Sequence, residues 1–459
     1  MQPATVGLAC QPTSAAALPC SAMQLKWNCS GDHLARMRSD ACIPEAELES
    51  ATRRCLSGCC NRTSSAYRWF RTTCEVYYRS SADGSLQPAM FHKPTVAAKH
   101  TEGVPLLVGL HAWSELHTDD RLNLLGQWSA KHRWSLIVPY TRGPNDNPMA
   151  VGSTFAVQDV IDAVAFAGEH VRIDTSRIYL VGGSGGAYLA LLMAGVAPTL
   201  WAGISVWAPI FDLVKWFHFC TKGTRSSRAH TRFAADISRA VNGPPYASSA
   251  QERNAYSRSP AAHLYRARGV VPIDINVGIM DGHGVSPVPI SHGLEAFNAV
   301  ASHADRIPKP LVDEFVSRAR VPEALNQSFR AEAGACRTRP LRSGIPRDGD
   351  FFKVLFCRRS GLARLTVFAG QHQTLWRSAL DWLSLQKRNA SQSEMQMAAA
   401  GGALQKFAAG WRPVWRAHAL ALSSNPWPGE TGYTSPECSW CQTPASTKGV
   451  ARAGSILDD

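Results

Sequence analysis

A strand that turns directly into a helix around one serine constrains this sequence more than any other feature. Residues 176–194 read Ser-Arg-Ile-Tyr-Leu-Val-Gly-Gly-Ser-Gly-Gly-Ala-Tyr-Leu-Ala-Leu-Leu-Met-Ala. Small neighbours allow a sharp turn with the hydroxyl of Ser184 exposed above a sheet, and the amides that open the helix favour a developing oxyanion. The pattern predicts a nucleophile elbow in an α/β fold. The alternative is a glycine-rich turn that only packs a helix on a strand.

Two later strand ends supply partners for Ser184 in the order serine, acid, histidine. Residues 270–281 form an apolar segment that ends at Asp281, and residues 361–372 form another that ends at His372. Open α/β sheets carry their chemistry at the carboxyl ends of the strands. We therefore predict that His372 takes the serine proton and returns it to the leaving group, while Asp281 fixes the histidine tautomer.

Other acids and histidines are less well placed. Asp274 lies in the middle of a strand, so we expect it to be a structural group. His283 stands beside the predicted acid rather than at a separate strand end, and His292 falls within a helical segment.

A second amide for an oxyanion hole usually comes from the loop after an earlier strand. Residues 105–113 read as such a strand and loop. We assign the two donors to the backbone N–H groups of Gly185 and Trp113, with Ala112 as the alternative to Trp113. The Trp113 indole has a second possible role, covering the edge of the core.

From about Val76 to Gln386, the chain resembles α/β-hydrolases of the prolyl oligopeptidase family of serine peptidases, together with related feruloyl-esterase and depolymerase-like hydrolases. The resemblance rests on residues 110–113, 142–145, 152–153, 158–164, 174–186, 258–260, 281, 288–289 and 372. In such proteins the matching serine, aspartate and histidine form the catalytic triad. The resemblance implies the α/β-hydrolase fold and a serine hydrolase.

The chain departs from that family at two points. The typical Gly-Gly-His-Glu sequence around the base is Gly370-Gln371-His372-Gln373 here. Fewer than a hundred residues precede the first predicted hydrolase strand, and propeller blades need about 40 residues each. We therefore expect no gating propeller.

The hydrolase domain is predicted over residues 76–388, with a doubly wound, mostly parallel sheet and poorly ordered segments on either side. Two insertions resembling caps are placed at about 214–269 and 304–349. The first carries aromatic side chains that either line a substrate pocket or form the core of the cap: Trp216, Phe217, Phe219 and Tyr246. Residues 1–75 form a Cys-rich extension, and residues 389–459 are interpreted as a disordered tail.

Net charge and a long uncharged run of the sequence bear on two further classes of protein, those that bind nucleic acid and those that span a membrane. The net charge of +13 raises nucleic-acid binding as an alternative, but no recognisable module accompanies the scattered arginines, so we predict no nucleic-acid partner. The uncharged run 187–211 is interrupted by Pro198, Gly203 and Pro209, so we predict no membrane span. Localisation and oligomeric state stay open.

The cysteines do not indicate a metal site. Eight of the thirteen lie in the first 75 residues and form a disulfide framework if the protein is exported. The pair Cys438 and Cys441 falls short of the four ligands of a structural zinc site, so we predict no metal and no cofactor. In the hydrolase domain, Cys220, Cys336 and Cys357 are expected to be buried thiols.

These features predict a serine hydrolase that cleaves a peptide or ester bond of a small substrate through an acyl-enzyme on Ser184. Its family resemblance favours a peptidase. A carboxylesterase of the feruloyl or acetyl esterase type is the alternative, because the same tetrahedral intermediate serves both reactions. A degenerate hydrolase that acts as a binding scaffold is the alternative of another class, suggested by Gln371 and Gln373 beside the base.

Overall fold

The computed structural model describes residues 45–56, 69, 72–95, 103–222, 228–325 and 353–388. All structural statements below refer to these residues. The predicted tail 389–459 lies outside them, as do residues 326–349 of the second insertion and Cys336.

Between residues 104 and 278, helices separate the successive strands, as the predicted doubly wound sheet requires. The strands are β1 (Thr73–Arg79), β2 (Leu86–His92), β3 (Val104–Leu110), β4 (Ser135–Pro139), β5 (Ile173–Gly183), β6 (Gly203–Trp207), β7 (Ile273–Gly278), β8 (Val354–Ser360) and β9 (Ala363–Phe368). The helices are α1 (Glu45–Leu56), α2 (Asn123–His132), α3 (Thr154–His170), α4 (Gly185–Val196), α5 (Leu213–Thr221), α6 (Arg228–Ala240), α7 (Ser249–Ser257), α8 (Ser291–Val300), α9 (Lys309–Arg318) and α10 (Trp376–Ser384).

The described strands form one nine-stranded sheet in the order β1-β2-β4-β3-β5-β6-β7-β9-β8. Strands β4, β3, β5, β6, β7 and β9 run parallel to their neighbours in this series. Antiparallel pairing is confined to the two edges, at β1, β2 and β8. This largely parallel sheet with helical crossovers is the predicted α/β-hydrolase fold.

The central strands are buried because helices cover both faces of the sheet. Along β5, Ile178 and Leu180 join the larger hydrophobic cluster, whereas Tyr179 and Val181 between them join the cluster on the opposite face. All four side chains are fully buried. Alternate side chains of a strand point to opposite faces, so a strand covered on both sides needs an uninterrupted apolar run.

The insertion predicted at 214–269 lies between β6 and β7 and carries helices α5 to α7. Trp216 and Phe217 are buried in the main hydrophobic cluster, which makes them cap core. Phe219 packs against that cluster and is partly buried, while Tyr246 is 64% exposed. The aromatic residues of this insertion therefore divide between core and surface.

The mid-strand carboxylate has the structural surroundings expected from its position. Asp274 is fully buried on β7 and accepts a hydrogen bond from Arg364 Nε at 2.8 Å. It also accepts hydrogen bonds from the Ser205 hydroxyl at 2.9 Å and the Asn276 amide at 2.8 Å. A buried charge is tolerated when it is paired in this way, and the cluster ties together β6, β7 and β9.

Disulfide bonds at Cys55, Cys74 and Cys357 extend or correct the predictions made from the sequence. Helix α1, which the sequence analysis did not anticipate, is linked to β1 by the disulfide between Cys55 and Cys74. Cys357 was expected to be a buried thiol, and this is wrong: it is disulfide-bonded. Cys220 is the buried free thiol expected, and burial raises its pKa to about 12.

No helix in the described ranges combines the length and the apolar character needed to cross a bilayer. Within the same ranges, no group of three or more His, Cys, Asp or Glu side chains is arranged to hold a metal ion.

A buried histidine predicts how stability changes with pH. His292 Nδ1 accepts hydrogen bonds from the backbone N–H groups of Phe211 at 3.0 Å and Asp212 at 3.4 Å. Burial, followed by the charge of Lys215, lowers the pKa of His292 to about 3. In the unfolded chain, His292 takes up a proton near pH 6.5, whereas in the folded chain it stays neutral at that pH. The stability that the neutral, buried His292 contributes to the fold is therefore fully present above pH 6.5 and is lost as the pH falls toward 3.

We expect His292 to lower the free energy of unfolding by about 2 kcal/mol between pH 7 and pH 5. Urea denaturation at both pH values measures this loss. His292→Asn is expected to be less stable at pH 7 and to show a smaller loss between the two pH values, whereas the exposed His303→Ala keeps the wild-type loss. Equal losses in wild type and His292→Asn would contradict the assignment.

Candidate active site

The predicted nucleophile lies at the tip of a strained strand-to-helix turn. Ser184 connects β5 to α4 with φ +55° and ψ −118°, a backbone conformation that costs on the order of 1–3 kcal/mol for a residue with a side chain. Its backbone N–H donates to the carbonyl of Trp207 on β6 at 2.9 Å, which anchors the turn to the sheet. This left-handed backbone at the junction of strand and helix is the sharp turn that the elbow pattern predicts.

The glycines around Ser184 are required by close approach. A Cβ atom on Gly183 would lie 2.1 Å from the Thr374 hydroxyl, in the loop that carries His372. A Cβ atom on Gly185 would lie 2.3 Å from the backbone nitrogen of Trp113. Side chains at either position would push these loops away from the serine.

The structure brings the three predicted triad residues together in one hydrogen-bonded chain. Ser184 Oγ lies 2.8 Å from His372 Nε2, and His372 Nδ1 lies 3.0 Å from Asp281 Oδ1. Asp281 is buried, with 1% of its side chain exposed, whereas 18% of the His372 side chain is exposed. The base therefore faces solvent on one side and a buried carboxylate on the other. This is the geometry that activates a serine hydroxyl.

The acid has a further partner that sequence reasoning missed. The buried hydroxyl of Ser286 donates to Asp281 Oδ1 at 2.5 Å, and the Asp281 carbonyl accepts the N–H of Ile290 at 3.2 Å. These bonds hold the carboxylate from within its own loop. No signal in the sequence distinguishes Ser286 from other loop serines, because its role depends on how the loop folds back.

The two amides predicted for an oxyanion hole lie next to each other. Gly185 opens helix α4, and its missing Cβ leaves the space in which the Trp113 backbone nitrogen lies. Among the described residues, neither amide donates a hydrogen bond within the protein. Both N–H groups are therefore available to a ligand beside Ser184. The Trp113 indole also covers the core, since only 2% of the residue is exposed.

The unusual glutamines around His372 preserve the shape of the base loop. The side-chain carbonyl of Gln373 accepts the backbone N–H of Gln371 at 3.2 Å. Gln371 and Gly370 also place their carbonyls where a Cβ on Gly278 would lie, so the loop packs directly on β7. The departure from Gly-Gly-His-Glu therefore leaves the base oriented toward Ser184.

The insertion between β6 and β7 contacts the acid loop directly. The Trp216 indole N–H donates to the carbonyl of Pro287 at 2.8 Å. The Trp216 ring also meets the Trp113 ring edge to face, with centroids 4.7 Å apart. One buried side chain of the insertion thus contacts both the loop that carries Asp281 and the residue predicted to line the oxyanion hole.

Comparison with known protein families gives one match at the elbow. Residues 153–236, which include Ser184, match the sequence profile of the prolyl oligopeptidase family, peptidase family S9. The match bears out the resemblance to that family, and the class of protein that it supports is a serine hydrolase. It does not show the predicted relation to feruloyl esterases. No curated protein sequence gives a significant match.

Similar solved structures include three peptidases. An acylaminoacyl peptidase from Pyrococcus horikoshii is 14% identical, with a TM-score of 0.38, over 50% of this chain and 35% of the other. A puromycin-hydrolysing peptidase of Mycobacterium tuberculosis is 20% identical, with a TM-score of 0.39, over 50% and 34%. Prolyl oligopeptidase B from Galerina marginata is 18% identical, with a TM-score of 0.36, over 50% and 30%. The chain thus spans about a third of the length of these proteins.

Proposed function

We propose that this chain cleaves a peptide or ester bond through an acyl-enzyme on Ser184, with His372 as general base and Asp281 as its orienting acid. The observation that carries the proposal is the continuous chain from Ser184 Oγ through both nitrogens of His372 to Asp281, at 2.8 Å and 3.0 Å. The strained elbow and the buried acid support it, because neither is needed for packing alone.

The reaction follows from these positions. His372 Nε2 accepts the proton of Ser184 as Oγ attacks the substrate carbonyl, and the backbone N–H groups of Gly185 and Trp113 stabilise the oxyanion of the tetrahedral intermediate. Collapse of that intermediate breaks the bond to the leaving group, which takes the proton from His372. A water molecule then gives its proton to His372, attacks the acyl-enzyme and releases the acid, with the proton returning to Ser184.

We favour a peptide substrate, since residues 153–236 match a family of peptidases. The triad distances serve an amide or an ester carbonyl equally, because both pass through the same tetrahedral oxyanion. The partial exposure of the His372 side chain, 18%, supports access by small substrates from solvent. A carboxylesterase without peptidase activity is therefore an outcome that the following experiment must distinguish.

Fluorophosphonate labelling of the purified full-length chain tests the proposal. We expect one phosphonyl adduct per folded chain, mapped by peptide mass spectrometry to Ser184, because only a serine with an adjacent base reacts rapidly. Protein unfolded in urea is the control and is expected to stay unlabelled. Parallel hydrolysis of a Gly-Pro-naphthylamide and p-nitrophenyl acetate then separates the two activities.

Hydrolysis of the ester alone would reassign the chain as a carboxylesterase. Folded protein that takes up no label, or takes it up only at another residue, would overturn the triad assignment. A folded but unreactive chain would support the binding scaffold instead.

A further inference from the structure

Trp113 is held by the protein on nearly every side. Its carbonyl accepts the backbone N–H of Asn145 at 2.8 Å. Its ring packs against Trp216 with centroids 4.7 Å apart and against Tyr188 at 5.8 Å. These contacts position the carbonyl and the ring faces, and two polar groups of the residue are left: the indole N–H and the backbone N–H.

The indole N–H is bound by a buried carboxylate from the insertion. Asp236 on helix α6 is fully buried, and its Oδ2 accepts the indole N–H of Trp113 at 3.1 Å. Its other carboxylate oxygen pairs with Arg239, whose Nε donates to the carbonyl of Asp146 at 3.1 Å. Asp146 follows Asn145, so the insertion and the loop that binds the Trp113 carbonyl are joined through this pair.

Packing alone does not account for a charge at this point. An apolar side chain at 236 would fill the same core space without the cost of burying a carboxylate. The carboxylate contributes something that an apolar side chain lacks, which is a fixed direction for the indole. Because the side chain and the backbone nitrogen of Trp113 share one Cα atom, an indole fixed at its far end also limits where the backbone N–H points.

We propose that Asp236 is a positioning residue for the oxyanion hole: it holds the Trp113 indole so that the Trp113 backbone N–H stays beside that of Gly185. The insertion between β6 and β7 then takes part in stabilising the transition state as well as covering the site. This inference rests on the proposed function, because it needs Ser184 as nucleophile and the two amides as donors.

Steady-state kinetics of Asp236→Ala and Asp236→Asn, on whichever of the two substrates is hydrolysed, tests the inference. Loss of a whole oxyanion donor lowers kcat by about 100- to 1,000-fold, so a misplaced donor is expected to cost about tenfold. We expect that loss in kcat for Asp236→Ala, with KM within about twofold. Asp236→Asn keeps an oxygen acceptor for the indole and is expected to recover most of the activity.

Trp113→Phe keeps a ring in the core and removes the indole N–H, so it provides an independent measure. It is expected to lose about as much kcat as Asp236→Ala, and the double variant is expected to lose no more than either single one, since both remove the same bond. The matched control is Asp313→Ala, which removes an exposed carboxylate that pairs with Lys309, and we expect it to keep wild-type kcat.

Wild-type kcat in Asp236→Ala with a lowered melting temperature would reduce Asp236 to a stabilising residue and overturn the inference. If Asp236→Ala does not fold, the kcat of Trp113→Phe provides the test instead, and an unchanged kcat in that variant overturns the inference. Ser184→Ala separates the two proposals. If Ser184→Ala remains active the proposed function fails, whereas an inactive Ser184→Ala beside an unaffected Asp236→Ala defeats only the positioning role.

Discussion

Replacing Ser184 or His372 with alanine is expected to lower kcat by about a millionfold, and replacing both is expected to lower it no further. The hydroxyl and the imidazole act as one unit, because Ser184 Oγ is a weak nucleophile without the base that lies 2.8 Å away. Once either is gone, only binding and the oxyanion donors remain to accelerate the reaction. Turnover of the better substrate, with melting temperatures of all variants, measures the effect.

His303→Ala is the matched control for the histidine, since His303 is exposed and lies on the segment before α9. It is expected to keep wild-type kcat. The result against the assignment would be an active His372→Ala together with an inactive His283→Ala, which would move the base to the acid loop. Strictly additive losses in the double variant would also contradict a shared role for Ser184 and His372.

Sequence patterns predict the elbow and the meeting of three distant residues for a physical reason. Ser184 lies between an apolar strand and an apolar helix, and the glycines around it are readable as a sharp turn without knowledge of distant contacts. Asp281 and His372 follow strands that run parallel to β5 within the same sheet. Parallel strands end at one edge, so the order along the chain is enough to predict proximity.

Contacts made by side chains across folded loops are not readable in that way. Trp113 and Asp236 are separated by 123 positions, and no periodicity links a loop tryptophan to a carboxylate on a helix of an insertion. Ser286 is close in sequence to Asp281, yet its hydroxyl reaches the carboxylate only because the loop folds back on itself. Asp236 and Ser286 are common residue types, and only their positions in the folded chain give them these contacts.

The same limit explains the errors over cysteines and the N-terminal helix. Burial and apolar neighbours predict a thiol at Cys357, but pairing depends on which second cysteine comes within reach, and spacing does not determine this. Helix α1 has a mostly polar sequence, and the disulfide between Cys55 and Cys74 links it to β1. This helix is thus held in part by a covalent bond to a strand, and the periodicity of its sequence does not reveal such a bond.

Asp281→Asn is expected to lower kcat by about ten-thousandfold while the fold is retained. Asp281 Oδ1 accepts a hydrogen bond from the N–H at His372 Nδ1 at 3.0 Å, which keeps the proton on Nδ1 and leaves Nε2 free to accept the proton of Ser184. An asparagine can place its N–H₂ group at the position of Oδ1, where one N–H faces His372 Nδ1 and the other faces the Ser286 hydroxyl, which then accepts instead of donating. The imidazole proton then moves to Nε2, and the base no longer accepts a proton from the serine.

The control for this prediction is Asp274→Asn, a buried carboxylate on the preceding strand that pairs with Arg364. The two variants are expected to be affected in different measurements. Asp274→Asn lowers the free energy of unfolding by about 3 kcal/mol, because it weakens a buried ion pair, but the folded protein keeps a kcat near that of wild type. Asp281→Asn is expected to lose kcat instead. Kinetics and urea denaturation of both variants make the comparison. Loss of kcat in Asp274→Asn beside an active Asp281→Asn would place the orienting acid on β7, because only the acid that faces His372 controls which imidazole nitrogen carries the proton.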